Sequence, residues 1–240
     1  MATHPSVNQQ KKAEVTSGIM KRLVQVIGGI LIQAAILFLA SGRLDWVMAW
    51  IYIGVYLVVV TINSLFILPK NPELIAERGR PKENVKAWDK ALSGLAGVAS
   101  LVTLVVAGLG TRFQWPPQLA LTIQLAALVF LVLGYGLFSW AMVSNPFFST
   151  LVRIQDDRGH AVASAGPYRY VRHPGYVGWI VLSLATPLML GSLWGLIPGA
   201  ISALLMVVRT ALEDRTLLNE LVGYPDYARR VPYRLLPGVW

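Results

Sequence analysis

The residues best equipped for chemistry lie in two short stretches. The first, from Asn145 to Tyr176, holds two of the three histidines, His160 and His173, together with Gln155, Arg158, Tyr168 and Arg172. The second reads Arg209-Thr210-Ala211-Leu212-Glu213-Asp214-Arg215. Arg209 and Glu213 are four apart and share a helix face, with Glu220 two turns beyond Glu213. Imidazole titrates near neutral pH, a guanidinium grips a carboxylate through two parallel hydrogen bonds, and a carboxylate receives ammonium or hydroxyl groups. Brought together, these groups would hold and orient a small charged molecule. Taken singly, each has a plainer account. Arg209 and Glu213 would form a surface pair worth about 0.2–0.5 kcal/mol, and Arg209 would snorkel at a helix end. His173 precedes a proline suited to a helix start, and Tyr168, Tyr170 and Tyr176 would form an interfacial aromatic belt. The two histidines lack a cysteine partner or helical spacing, so no metal site is expected.

The elements that must position these residues are hydrophobic helices. Of 240 residues, 55% are hydrophobic and 14% charged, with a mean hydropathy of +0.56, too apolar for an ordinary soluble domain. Apolar stretches run over Leu23–Ala40, Trp46–Leu68, Ala91–Gly110, Leu119–Val143 and Tyr176–Val208. The last exceeds one span of roughly 20 residues and is broken by Pro187, Gly191 and Ser192. It therefore reads as a helical hairpin, Tyr176–Leu190 and Leu193–Val208, bringing the count to six spans. Because the hairpin leaves at Tyr176 and returns at Arg209, it would carry both chemical stretches to one membrane surface. Leu23–Ala40 is longer than a leader's apolar region and is read as an anchor.

The net charge of +9 would suggest nucleic acid until the basic residues are placed. Lys11, Lys12, Lys21 and Arg22 precede the first span. Lys70, Arg78, Arg80, Lys82, Lys86 and Lys90 fill the second connection, and Arg153, Arg158, Arg169 and Arg172 the fourth. Arg209, Arg215, Arg229, Arg230 and Arg234 follow the last span. Only Arg43 and Arg112 fall on the other side. Basic residues stay in the cytoplasm, so both termini are expected there, and no nucleic-acid partner is needed. No ionisable residue lies within the first four spans, which argues against transport. Asn63 and Gln124 were the polar interior residues singled out, as interhelical hydrogen bonders. Small residues near Ser93, Gly94 and Gly97 suggest close helix packing.

The run Gly166-Pro167-Tyr168-Arg169-Tyr170-Val171-Arg172-His173-Pro174-Gly175-Tyr176-Val177-Gly178-Trp179 resembles the signature of the isoprenylcysteine carboxyl methyltransferase family. Arg209, Glu213-Asp214, Leu217, Tyr224, Tyr227 and Arg230-Val231-Pro232 extend the resemblance over about residues 145–236. It implies an all-α, polytopic membrane methyltransferase that uses S-adenosyl-L-methionine, with a cytoplasmic loop and C-terminal helix enclosing the cofactor. A lipophilic acceptor would arrive from the lipid. The resemblance assigns cofactor contacts to His173, Pro174, Gly175, Tyr176 and Tyr168, to His160, Ala161, Val162 and Ala163, and to Gln155 at a spacing shifted by two residues. Glu213 corresponds to the cofactor-facing carboxylate, Arg209 to a substrate-side arginine, and Arg172 lies beside the cofactor loop. Asp214 stands where a second Glu is usual, and the spacing near Gly223 is one residue short.

The expected division is a tail over 1–22, a four-helix anchor over 23–144, and a methyltransferase-like core over 145–240 containing the hairpin 176–208. Methyl transfer to a small lipophilic molecule or a prenylated carboxyl group is the leading reading, with Arg172, Arg209 and Glu213 as the catalytic set. A reductase of sterol-reductase-like architecture, using a phosphorylated nicotinamide dinucleotide held by Arg229, Arg230 and Arg234, and a non-catalytic scaffold are the alternatives.

Overall fold

A computed structural model describes residues 7–80 and 84–240; Lys82 and the first residues of the expected tail lie outside them. Eight α-helices follow in order: α1 (Val7–Ser41), α2 (Val47–Ile67), α3 (Pro72–Gly79), α4 (Ala87–Phe113), α5 (Leu121–Ser144), α6 (Pro174–Met189), α7 (Leu196–Glu220) and α8 (Tyr224–Arg230). Two 3₁₀ turns, Asp156–Arg158 and Gly166–Arg169, punctuate the loop between α5 and α6. Among the described residues there is no strand, as an all-α chain requires. Helices α1, α2, α4, α5 and α7 are long and apolar enough to cross a membrane, and α6 is a shorter apolar helix packed among them. Its 16 residues rise only about 24 Å at 1.5 Å per residue, short of a 30 Å hydrocarbon core.

The six expected apolar helices are all present, five of them of spanning length, with two shifts. Helix α1 starts at Val7, well ahead of the apolar stretch from Leu23, and α7 continues past Val208 to Glu220. That continuation makes Arg209, Glu213 and Asp214 part of one rigid rod with the hairpin. Leu37, Tyr52, Leu104, Leu131 and Met189 join five helices in the principal core. The outer faces expose large apolar side chains such as Leu39, Leu65, Leu133 and Leu204, a surface suited to lipid rather than water.

Close helix approach occurs at glycines other than those expected. Around Gly94 and Gly97 there is open space. One close crossing is between α5 and α6, where a Cβ added to Gly178 would lie 2.8 Å from the Gly134 carbonyl oxygen, and another is between α6 and α7 at Gly199. Backbones can approach this closely only without side chains between them. Asn63 does bridge helices, donating to the Ser139 hydroxyl at 2.9 Å. Gln124 instead turns back on the Leu119 carbonyl at 3.0 Å, within its own segment. A further interior amide, Gln33 of α1, was overlooked and accepts from the Tyr52 hydroxyl at 2.8 Å.

The connections bearing most of the basic residues meet at one end of the bundle. Asn71 caps α3 by accepting from the Leu74 amide at 3.2 Å, with Pro72 at the first helical position. Helix α3 then lies against α1, and Gln25 donates to the Gly79 carbonyl at 3.3 Å. Arg153 links the loop after α5 to α3 through Glu77 at 2.9 Å, and the Lys86 amide bonds the Val152 carbonyl at 3.3 Å. The chain's last residues close the same end, with the Arg172 and His173 amides bonding the carbonyls of Tyr233 and Arg234, each at 2.9 Å.

Candidate active site

Two buried carboxylates hold this end together. Asp214, fully buried on α7, receives Arg172 Nε and Nη2 at 2.8 and 2.9 Å, Arg234 Nε at 2.8 Å, and the Tyr224 hydroxyl at 2.9 Å. His173 Nε2 lies 3.2 Å from the same carboxylate. The remaining Arg172 donors meet the carbonyls of Val231 and Pro232 at 3.0 and 2.9 Å. Asp89, fully buried on the first turn of α4, receives Arg209 Nε at 2.6 Å and the Val152 amide at 2.7 Å. An isolated charge here would cost several kcal/mol, so each arginine and its carboxylate are mutually required. Position 214, the departure from the family pattern, is thus the hub of the C-terminal network.

Between these hubs, the loop after α5 folds over α7 and encloses a cleft of about 100 Å³. Its walls include Gln155, His160, Ala161, Val162 and Ala163 from the loop. Tyr168, Arg172, His173, Gly175 and Tyr176 line it from the signature run, and Arg209 and Glu213 from α7. Eleven distant positions and Glu213 therefore converge as expected. Pro174 opens α6, fully buried, and is not part of the wall. Gln155 is held inside the loop, donating to the Phe147 carbonyl at 2.7 Å.

Arg209 and Glu213 do not pair with each other as a surface couple. Arg209 is anchored by Asp89 and the Thr150 carbonyl, with its guanidinium 5.1 Å from the Tyr176 ring centre. Glu213 instead receives the Tyr176 hydroxyl and lines the cleft. Glu220 leaves the stripe altogether to meet Lys86 at 2.7 Å. The Tyr176 ring is stacked on His173, 5.5 Å between centres and nearly parallel.

The surrounding groups are set by burial. His160 packs on Phe147 at 4.8 Å and accepts the Gln155 amide at Nδ1, 3.3 Å away. Burial holds its pKa below the ordinary histidine value, so the ring is neutral at pH 7. Burial, then the Asp214 charge, pushes Tyr224 far above the ordinary phenol range, keeping it a hydrogen-bond donor. Leu217, Leu221, Tyr224 and Tyr227 complete an apolar wall behind the polar groups.

Asp89, Phe147 and Phe148 carry no role in the sequence reading, and Arg234 has a different one. Asp89 had a signal, being an acid among Lys86 and Lys90 at the head of an apolar span. Arg234 was read as a phosphate ligand, but it is engaged by Asp214 and lies 4.9 Å from the Trp240 ring centre. Arg229 pairs with Asp226. Of the three arginines in the reductase alternative, Arg234 is therefore committed within the protein, whereas Arg229 makes only an exposed surface pair.

The cleft coincides with the part of the chain that resembles known proteins. A model of the isoprenylcysteine carboxyl methyltransferase (ICMT) family matches residues 126–219. A protein-S-isoprenylcysteine O-methyltransferase of Schizosaccharomyces pombe is 32% identical over 112 residues, 45% of this chain and 48% of that protein. The Rattus norvegicus protein of the same name is 32% identical over 127 residues, 49% and 43% of the two chains. A delta(14)-sterol reductase of Mus musculus is 30% identical over 138 residues, 52% of this chain and 33% of that one. The chain spans about half the length of the first two relatives. Within this multi-pass integral membrane protein, residues 126–219 form an isoprenylcysteine carboxyl methyltransferase family domain.

Proposed function

We propose that the chain is an S-adenosyl-L-methionine-dependent membrane methyltransferase whose acceptor is a lipophilic molecule bearing a carboxyl group. The observation that carries this reading is the convergence of His160–Ala163, Tyr168, His173, Tyr176 and Glu213 on one cleft beside the apolar layer. The donor set fits the cofactor: a carboxylate for its ammonium or ribose hydroxyls, loop backbone, and aromatic walls for its adenine. When bound, the cofactor supplies an electrophilic methyl group on a sulfonium.

Within this reading, Glu213, oriented by Tyr176, receives the cofactor's donors. Arg172 and Asp214 fix the loop to α7 and position His173. Arg209, fixed by Asp89, presents positive charge at the cleft wall and orients an acceptor carboxylate. A carboxylate acceptor is already ionised, so His173 need not act as a base. Transfer of the cofactor's methyl group to the carboxylate oxygen would require no proton to move. Alignment and water exclusion are then the protein's main contributions, worth several kcal/mol.

We further assign residues 1–22 to a tail, 23–144 to an anchor and 145–240 to the transferase core, with Asp89 the anchor's contribution to the cleft. Both termini and the cleft face the cytoplasm in this reading, as the basic residues favour. The deciding experiment supplies methyl-labelled cofactor to the purified protein in lipid. Saturable binding and a labelled lipid-soluble product are expected. Binding of a nicotinamide dinucleotide phosphate with none of the methyl donor would overturn the assignment.

A further inference from the structure

A second, larger cavity of about 540 Å³ lies among the helices, walled by α1, α2, α4, α5, α6 and α7 and by α3 at its basic end. Most of its wall comes from helices that precede the family domain. At the basic end Arg22 and Arg78 line it, and among the described residues no carboxylate pairs with either guanidinium. Arg78 donates only a long bond, 3.4 Å, to the Phe148 carbonyl and lies over the Phe148 ring at 5.5 Å. Burial, then the charge of Arg22, lowers its pKa to about 9, the sign of a cation short of an anion.

The other end of the cavity is polar as well. Tyr52 and Gln33 line it and are bonded to each other, and Tyr135 lines it as well. Tyr56 stands beside Tyr135, 6.0 Å between ring centres. Helix α1 carries both Arg22 and Gln33, so a rise of 1.5 Å per residue puts about 16 Å between the two polar ends. Val26, Val59, Val60 and Leu104 supply apolar wall between them. The donors of this inner cluster are used, with Gln33 also donating to the Gly29 carbonyl at 3.2 Å, but the oxygens of Gln33 and Tyr52 keep acceptor lone pairs that a ligand hydroxyl would fill and an alkane would not.

We propose that this cavity binds a single-chain carboxylic lipid that is oxygenated along its body, with its carboxylate at Arg22 and Arg78 and a hydroxyl at Gln33, Tyr52 and Tyr135. The volume suits one small amphiphile. Resting on the methyltransferase reading, this lipid is the acceptor held before reaction: its head lies against Phe148, which also walls the cofactor cleft, and passes that ring to reach Arg209 for transfer. Phe148 is the partition: it meets Phe138 of the cavity wall edge-on at 5.2 Å, and its ring would lie 2.8 Å from a Cβ added at Gly175. Methylation turns the carboxylate into a neutral ester, which the arginine pair no longer attracts.

The test uses the full chain in lipid nanodiscs without cofactor, measuring displacement of a fluorescent fatty acid. The probes are 12-hydroxyoctadecanoate, octadecanoate and phosphatidate. The hydroxy acid should bind about tenfold more tightly than the plain acid, the scale of one net hydrogen bond. That preference should vanish in Tyr52→Phe, while Arg78→Gln weakens both acids about tenfold or more. Cofactor binding by each variant reports its folding, and Arg22→Gln replaces Arg78→Gln should the latter fail to fold. Equal binding of the two acids, indifference to the arginine change, or displacement by phosphatidate alone overturns the site. Tight hydroxy-acid binding without ester formation once S-adenosyl-L-methionine is added counts against the transferase reading and leaves the cavity assignment standing. Ester formed equally from both acids does the reverse.

Discussion

The basic end of the molecule and the interior of its helical bundle are held together by different physics. At the basic end, fully buried Asp214 gathers two arginines and a tyrosine hydroxyl, and fully buried Asp89 gathers an arginine and a backbone amide, into closed networks. In the bundle, side chains meet through dispersion and single hydrogen bonds such as Asn63 to Ser139, and about 540 Å³ is left open. Fixed charge networks produce a rigid cleft of defined geometry, whereas weakly directional packing leaves room for a large, flexible ligand. The difference matches a division of labour in which one region aligns reacting atoms and the other stores an apolar body.

The largest expected effect comes from opening the tighter network. Asp214→Asn leaves buried Arg172 and half-buried Arg234 beside a neutral amide, and breaking one side of a buried pair costs about 3–5 kcal/mol. Chemical unfolding should show that loss, with the cleft failing to bind cofactor. An unchanged midpoint would mean that the network is not what holds the end together. Next in size is Gly178→Ala, which forces a methyl group against the Gly134 carbonyl and should cost about 1–3 kcal/mol. Its thermal midpoint should fall with little change in cofactor affinity for the fraction that folds. A selective loss of cofactor affinity instead would show that the bundle and the cleft are not separable.

A smaller effect concerns His160. Its folded pKa lies below the ordinary value of 6.5, so the unfolded chain takes up a proton first as pH falls. Stability is therefore full above about pH 6.5 and declines below it until the folded ring protonates. Denaturant midpoints at pH 7.5 and 5.5 should differ modestly, and His160→Gln should shrink that difference. A difference unaffected by the substitution would assign the pH response to another group.

The spans and the site stretches were legible because their signals are local or periodic. Long apolar runs, helix-breaking Pro187 and Gly191, and the Arg209-to-Glu213 spacing all act within one element. Partners reached across the fold were not legible. Nothing near Arg209 in the chain announces Asp89, 120 positions away, and four-residue spacing pointed to Glu213 instead. Gln33 looked like one polar residue in an apolar helix until Tyr52 of α2 was set beside it. The close approach of α5 and α6 escaped notice because glycine spacing alone cannot say which face meets a neighbour and which meets lipid.

The most direct measurement is equilibrium binding of labelled S-adenosyl-L-methionine to the purified protein and to Glu213→Ala. Alanine favours helix, so α7 should persist and the melting profile should be preserved. Loss of a hydrogen bond to a charged group costs about 1.5–3 kcal/mol, so affinity should fall roughly ten- to hundredfold. Saturable binding by the wild-type chain, lost to that extent in a folded variant, is the predicted result. No saturable binding to either protein, or identical affinity in both, would contradict the account.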